Sequence, residues 1–182
     1  MLILHSYTGL QPDDEAETHA FINKLNDTYP LDSVKMRGPA DYHTALMRRW
    51  YKEDVLINIE QDIVPTVDQI YRLLDCTVSQ ACTYPYLLRT GLGANTYSLW
   101  TPSDWDENDP YIPKKMEFVT KPFPTYAVSS GFGCIKLDYK LRRQIPLEQF
   151  DVARFQWTYI DSWVSAYMAK NDLGRWHVHR PE

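Results

Sequence analysis

Two carboxylates one residue apart, Glu60 and Asp62, directly follow a short apolar run that is rich in β-branched residues, Val55 to Ile59. Such a run is typical of a strand that is buried on both faces of a parallel sheet. Pro65 comes next and is a favourable first residue for a helix. The pattern predicts that two acids are presented at the carboxyl end of a buried strand, where open α/β sheets bind ligands.

Acids in this position suit one of two purposes. Carboxylate oxygens are the ligands of Mg²⁺ and Mn²⁺, and substrate phosphates often complete the coordination of these ions. Alternatively, Glu60 is an ordinary loop acid and Asp62 caps the helix that starts near Pro65. The spacing of the two acids leaves both interpretations open.

Further candidate groups lie in the last third of the chain. His177 and His179 alternate along a predicted short strand, so both imidazoles share one face and could ligate a metal, or simply belong to a half-buried aromatic strand. Asp161 falls in the first turn of an amphipathic helix predicted over 157–171. It could act as a general base or only complement the helix dipole. Asp151 is a weaker candidate for the same role.

Glycines interrupt a strand that the sequence predicts from Tyr126 to Leu137. Gly131 and Gly133 flank a phenylalanine within this stretch. Two glycines in a strand indicate a bulge, or a ligand that approaches the backbone closely.

The elements that must position these groups alternate over the first 75 residues as strand, helix, strand, helix, strand, helix. This alternation predicts an α/β fold with a mostly parallel central sheet and right-handed crossovers. The second half is mixed. Residues 101–124 contain five prolines and little periodicity, and we interpret them as a long structureless loop that acts as a lid.

Composition excludes several classes of protein. A chain of 182 residues with 44% hydrophobic content is long enough for one globular domain. The net charge of −5 gives no basic field for nucleic acid. Neither a signal peptide nor an apolar run of membrane-spanning length is visible, so a cytoplasmic protein is expected. Cys76, Cys82 and Cys134 form no disulfide framework and are expected as reduced thiols, although a Cys76–Cys82 disulfide is possible in a hyperthermophilic host.

Taken in order, these pieces resemble a glycosyltransferase of the GT-A fold. An alternating half ends in Glu60-Gln61-Asp62, a glycine-bearing strand and a helix with an early acid follow, and a glycine turn leads to the terminal histidines. The resemblance implies a single domain over 1–182, organised as a three-layer α/β/α structure. Residues 1–75 would form a Rossmann-like nucleotide-binding half, and residues 76–182 a mixed acceptor and catalytic half. The chain is near the minimum length for this family, so it resembles in particular the small virus-encoded members.

The resemblance also assigns roles to residues. Asp62 would be the principal ligand of Mn²⁺ or Mg²⁺. Glu60, which stands where the family usually has aspartate, would contact the metal, a water or the nucleotide ribose. His177 and His179 would complete the metal site. Asp161 represents alone the paired acids that are usual at this helix start and would be the catalytic base, with Asp151 as the weaker candidate. The nucleotide pocket would be lined by Ser6, Tyr7, Thr8 and Arg37.

The implied activity is metal-dependent transfer of a sugar, with inversion, from a nucleotide-diphosphate sugar to a hydroxyl of a glycan or protein acceptor. The implied location is the cytoplasm, or the host cytoplasm for a viral protein. Two alternatives use the same residues. One is a metal-dependent nucleotidyltransferase or hydrolase, and the other is a non-enzymatic binding module in which the acids are helix caps.

Overall fold

The computed structural model describes residues 1–88, 96–105, 107–108, 111, 113–152 and 160–180. The predicted alternation over the first 75 residues is confirmed. The elements there are β1 (Leu2–Tyr7), α1 (Pro12–Asn26), β2 (Leu31–Lys35), α2 (Pro39–Trp50), β3 (Val55–Glu60) and α3 (Val67–Asp75).

Local sequence explains where the third helix starts. Thr66 Oγ1 accepts a hydrogen bond from the Gln69 backbone N–H, and Gln69 Oε1 accepts one from the Thr66 backbone N–H. This reciprocal arrangement is a capping box, which satisfies two amides that the helix leaves unpaired. The cap of α3 is therefore Thr66, and the interpretation of Asp62 as a helix cap is wrong.

The second part of the chain mixes short strands with helices, as predicted. Its elements are β4 (Ala81–Thr83), β5 (Leu99–Trp105), β6 (Pro113–Phe118), β7 (Tyr126–Ala127), β8 (Ser129–Ser130), β9 (Cys134–Asp138), α4 (Tyr139–Arg142), a 3₁₀ turn (Leu147–Gln149), α5 (Ile160–Lys170) and β10 (Trp176–Val178).

Seven of these strands form one mostly parallel sheet in the order β2-β1-β3-β9-β4-β10-β7. Strand β1 runs parallel to both neighbours, and β9 is inserted antiparallel between β3 and β4. Strand β10 is parallel to β4, and β7 is antiparallel to β10. Five strands thus share one direction, and the predicted α/β class with a mostly parallel sheet is confirmed.

Helices cover both faces of this sheet. Along β3, Ile57 and Ile59 pack with residues of α1 and α3, whereas Leu56 packs in a second cluster that includes residues of α2 and α5. The alternation arises because successive side chains of a strand point to opposite faces. All of Leu56, Ile57 and Ile59 are almost fully buried, which explains the unbroken apolar run in the sequence.

Two predictions for the second half are wrong. Residues 101–124 are not a structureless loop, because β5 and β6 pair as antiparallel strands in a smaller sheet of order β6-β5-β8. The prolines are accommodated because Pro113 begins the edge strand β6 and Pro102 adjoins a register shift. The stretch from Tyr126 to Leu137 is not one strand either. The chain forms three short strands there. Strands β7 and β9 belong to the seven-stranded sheet, and β8 belongs to the three-stranded sheet.

Helix α5 is described from Ile160, so residues 157–159 of the predicted helix lie outside the described part of the chain. Within Ile160–Lys170, seven residues are buried, so the helix is buried almost all round and not along one stripe. None of the helices in the described ranges is both long and apolar enough to cross a membrane.

Candidate active site

A cavity of about 560 Å³ opens at the carboxyl ends of β1 and β3. The two strands are parallel neighbours, and Ser6 of β1 is in register with Glu60 of β3. The residues that follow each strand therefore meet at one edge of the sheet, as the sequence predicts. Helix α5 adds Asp161 and Ser162 from a distant part of the chain.

Six of the residues selected from the sequence line this cavity. They come from the end of β1, from the acid-x-acid segment and from the start of α5, and they are Ser6, Tyr7, Thr8, Glu60, Asp62 and Asp161. The structure therefore brings together the first two acids and the later acid, which are about 100 residues apart in the sequence.

Two other candidates lie elsewhere. The Arg37 side chain is 86% exposed, and its Nε lies 2.9 Å from Asp41 Oδ2 in the first turn of α2. Asp151 is an exposed residue that directly follows the turn after Pro146. Neither is among the described residues that line the cavity. The Arg37 side chain pairs with Asp41 and not with the cavity, because Asp41, four residues on, lies on the same side of the helix start.

Glu60 is a buried acid that is held by a hydrogen bond from a tyrosine. Its Oε1 accepts a hydrogen bond of 3.0 Å from the Tyr42 hydroxyl. Asn58 Nδ2 in turn lies 3.3 Å from that hydroxyl and donates to the Phe132 carbonyl oxygen at 2.7 Å. Burial raises the pKa of Glu60 to about 7; the Tyr42 bond opposes this rise and the nearby charge of Asp62 adds to it.

Asp161 shares the same environment. Its Oδ1 accepts a hydrogen bond of 2.6 Å from the backbone N–H of Ser162. Burial raises the pKa of Asp161 well above its usual range, and the charge of Glu60 raises it further. Both carboxylates line the same cavity. No lysine or arginine is among the described residues that line it.

The residue between the two acids, Gln61, has a positioning role that the sequence analysis missed. Its Oε1 accepts from the backbone N–H of Thr8 at 2.7 Å and lies 2.8 Å from the Thr8 hydroxyl. Glu15 of α1 accepts from the Gly9 backbone N–H at 2.8 Å. The Gln61 bonds tie the segment after β1 to the segment after β3, and the Glu15 bond ties the same β1 segment to α1.

The two glycines make room for Tyr86, which the sequence analysis also missed. A Cβ atom on Gly131 would lie 2.5 Å from Tyr86 Oη, and one on Gly133 would overlap the tyrosine ring. The Gly133 N–H also donates to Tyr86 Oη at 3.3 Å. The predicted close approach to the backbone is therefore made by a side chain of this chain. It places the Tyr86 ring in the cavity wall.

Part of the cavity lining is apolar. Trp100, Met116 and Phe118, all from the paired strands β5 and β6, belong to it, and the Trp100 and Phe118 rings are in edge contact at 6.2 Å. The segment predicted to be a loop thus borders the cavity, although through paired strands. The cavity therefore offers aromatic and thioether surface besides its acids.

The terminal histidines are not brought to this cavity. Within the described ranges, the one group of three or more histidine, cysteine, aspartate or glutamate side chains that converges closely enough for a metal consists of Cys76, Cys82, His177 and His179. Burial lowers the pKa of His179 to about 4, and the neighbouring His177 lowers it further. The three cysteines are free thiols in the structure.

Comparisons with known proteins support the fold. No protein-family model matches the sequence, and no curated protein matches it. Among solved structures, A197 from STIV superposes with a TM-score of 0.55 at 14% identity, over 98% of this chain and 81% of that one. A Bacillus anthracis protein assigned as a glucose-1-phosphate thymidylyltransferase, in complex with a sucrose, gives a TM-score of 0.39 at 14% identity, over 92% of this chain and 63% of that one. The first likeness shows a shared fold alone, and nothing follows from the second.

Proposed function

We propose that this chain is a metal-dependent glycosyltransferase that moves a sugar from a nucleotide-diphosphate sugar to a hydroxyl acceptor. One observation carries the proposal. Glu60, Asp62 and Asp161 line a single cavity at the carboxyl ends of parallel strands, and no lysine or arginine is among its described lining residues. A diphosphate would be repelled by such a cavity, so its binding requires a divalent cation between the phosphates and the acids.

The donor set fits Mn²⁺ or Mg²⁺. Asp62 offers a half-buried carboxylate, and Glu60 offers a second that is held by Tyr42. The raised pKa of Glu60, to about 7, marks a place where negative charge lacks compensation and a cation would be stabilised. When bound, the ion would supply charge stabilisation to the departing nucleoside diphosphate.

The remaining steps belong to the chain itself. Asp161 would accept the proton of the acceptor hydroxyl as that oxygen attacks the sugar carbon, giving one in-line displacement with inversion. The role falls to Asp161 and not to Asp151, because only Asp161 lines the cavity. Ser6, Tyr7 and Thr8 at the end of β1 would contact the nucleotide, and their position is held by Gln61 and Glu15.

Two features of the architecture support the GT-A assignment. An antiparallel strand, β9, is inserted next to β3 in an otherwise mostly parallel sheet. The acid-x-acid segment follows β3, the strand that pairs with both β1 and β9. The β5–β6 hairpin lies over the same cavity, where its apolar surface would shape the sites of the sugar and the acceptor.

The test is nucleotide binding by calorimetry, with Mn²⁺ added to or omitted from the desalted protein and no chelator, so that only the added ion is varied. We expect nucleoside diphosphates to bind with Mn²⁺ and much more weakly without it. Asp62→Asn should remove the dependence on Mn²⁺, whereas Asp27→Asn, at the exposed end of α1, should not change it. Equal binding with and without Mn²⁺ would contradict the proposal.

Activity assays distinguish a glycosyltransferase from a nucleotidyltransferase and from a non-enzymatic binding module. With a binding nucleotide-sugar and a panel of hydroxyl acceptors, we expect transfer that Asp161→Asn abolishes while nucleotide binding persists. Release of pyrophosphate from a nucleoside triphosphate and a sugar phosphate would instead identify a nucleotidyltransferase. Binding without any turnover would point to a non-enzymatic module.

A further inference from the structure

A second group of potential metal ligands lies outside the acidic cavity, and the sheet topology explains how it forms. Strands β4 and β10 are parallel neighbours, and Cys82 is in register with His177, so these two side chains share a face of the sheet. His179 directly follows β10, two residues after His177, and its imidazole reaches the same group. Cys76 joins them because it caps the carboxyl end of α3, just before β4.

The distances between these groups are those of a ligand set. One ligand atom from each of Cys76, Cys82, His177 and His179 lies within 4.8 Å of all the others. Cys76 Sγ is 3.4 Å from His177 Nδ1, and the two imidazole rings have centroids 4.7 Å apart. Both cysteines are buried, and the histidines are half-buried.

One polar atom of this group lacks the hydrogen-bond partner that a buried atom normally has. Within the described residues, His179 Nε2 is buried and has no hydrogen-bond partner, a costly condition that a bound ion would relieve. Lys136 is buried beside the cysteines, and its Nζ donates to the carbonyl oxygens of Leu74 and Cys76.

We propose that Cys76, Cys82, His177 and His179 bind one Zn²⁺ ion as a closed structural site. Two thiolates and two neutral imidazoles are a common tetrahedral set for this metal, whereas Mg²⁺ and Mn²⁺ prefer oxygen. Binding transfers the two thiol protons to solvent and involves no redox step. The resulting Zn²⁺ with two thiolates carries no net charge, which suits a buried position.

A disulfide between Cys76 and Cys82 is the competing explanation for the paired sulfurs. Both cysteines are free thiols in the structure. A disulfide would also leave two imidazoles converging on the same point without a purpose. The metal explains all four side chains, and it would fasten the end of α3 and strand β4 to the last strand, β10.

The site is independent of the proposed activity, because it shares no residue with the acidic cavity. The protein is purified without a histidine tag, and its metal content is measured by mass spectrometry. We expect about one zinc per chain. Replacement by Co²⁺ should give the visible absorption of a tetrahedral ion and a thiolate-to-cobalt charge-transfer band in the near ultraviolet.

Variants assign the ligands. Cys76→Ser and His177→Ala should each lose the metal and lower Tm by several degrees. Cys134→Ala is the matched control, because Cys134 is equally buried in the same hydrophobic cluster as Cys76 and Cys82 but lies outside the ligand group. We expect Cys134→Ala to keep the metal and the Co²⁺ spectrum, whatever its effect on Tm.

The rate at which the cysteines of the native chain are alkylated tests metal binding without any variant. Cys76 and Cys82 should resist alkylation until a chelator is added. Protection that is lifted only by a reductant would establish the disulfide and overturn the proposal. A protein that contains no zinc, shows no Co²⁺ spectrum and gains no Tm on addition of Zn²⁺ would overturn it as well.

Discussion

Glu60→Gln should make the metal-free protein more stable and, at the same time, poorer at binding a metal and a nucleotide. The reason lies in the cavity. Burial and the neighbouring Asp62 raise the pKa of Glu60 from its ordinary value of 4.5 to about 7. A group whose pKa is raised on folding stabilises the folded chain while it is protonated. That stabilisation is complete below about pH 4.5 and is lost as the pH rises through about 7.

The size of the effect follows from the same values. The difference between the two pKa values corresponds to about 3 kcal/mol of folding free energy at about pH 8. Glutamine keeps an oxygen that can accept the Tyr42 hydroxyl bond but carries no charge. We therefore expect Glu60→Gln to raise the free energy of unfolding by up to about 3 kcal/mol at that pH, and by little near about pH 5.

Urea unfolding of the desalted protein between about pH 5 and pH 8 measures this difference. The matched control is Glu117→Gln on the exposed side of β6, which should leave the pH dependence of the wild-type chain unchanged. The reasoning is refuted if Glu60→Gln is no more stable than the wild type at about pH 8. It is refuted equally if the gain is the same at both ends of the pH range.

Two further predictions follow from the same cavity. A metal must displace the proton of Glu60, so the affinity for Mn²⁺ measured by calorimetry should fall by up to about tenfold for each pH unit below about 7. Glu60→Gln should abolish this pH dependence. An affinity of the wild-type chain that does not change with pH would show that Glu60 is not at the metal. Gly133→Ala should cost about 1–3 kcal/mol in thermal or urea unfolding and weaken nucleotide binding, because the new methyl group overlaps the Tyr86 ring. Gly38→Ala is the control for binding, because an added methyl group meets no atom there, and it should leave nucleotide binding unchanged.

Features encoded within a few residues were predictable. The apolar run of β3 and the acids that follow it are local signals, and they correctly place a strand and its ligand-binding edge. Pro65 was a misleading signal, because α3 begins at Val67 and is capped by Thr66. The β5–β6 hairpin was missed because its prolines resemble loop residues. They are tolerated in this hairpin only because of an edge position and a register shift. Neither feature can be seen in the sequence.

The candidate site also has one part that the sequence predicts and another that depends on the tertiary structure. The sequence alone identifies Glu60 and Asp62 as neighbours at one strand end, because two residues of chain cannot separate them far. Asp161 comes close to Glu60 only because of the way α5 packs against the sheet. The sequence shows only that Asp161 is near the start of a helix.

The terminal histidines show most clearly what only the tertiary structure decides. Alternation along a strand predicts that His177 and His179 share a face, and they do, but it cannot say which face or which neighbours. Those depend on the pairing of β10 with β4, a contact between segments more than 90 residues apart. That pairing puts the imidazoles beside Cys76 and Cys82 and not with Asp62, because strand order in a sheet is set by the packing of the whole chain and not by local periodicity.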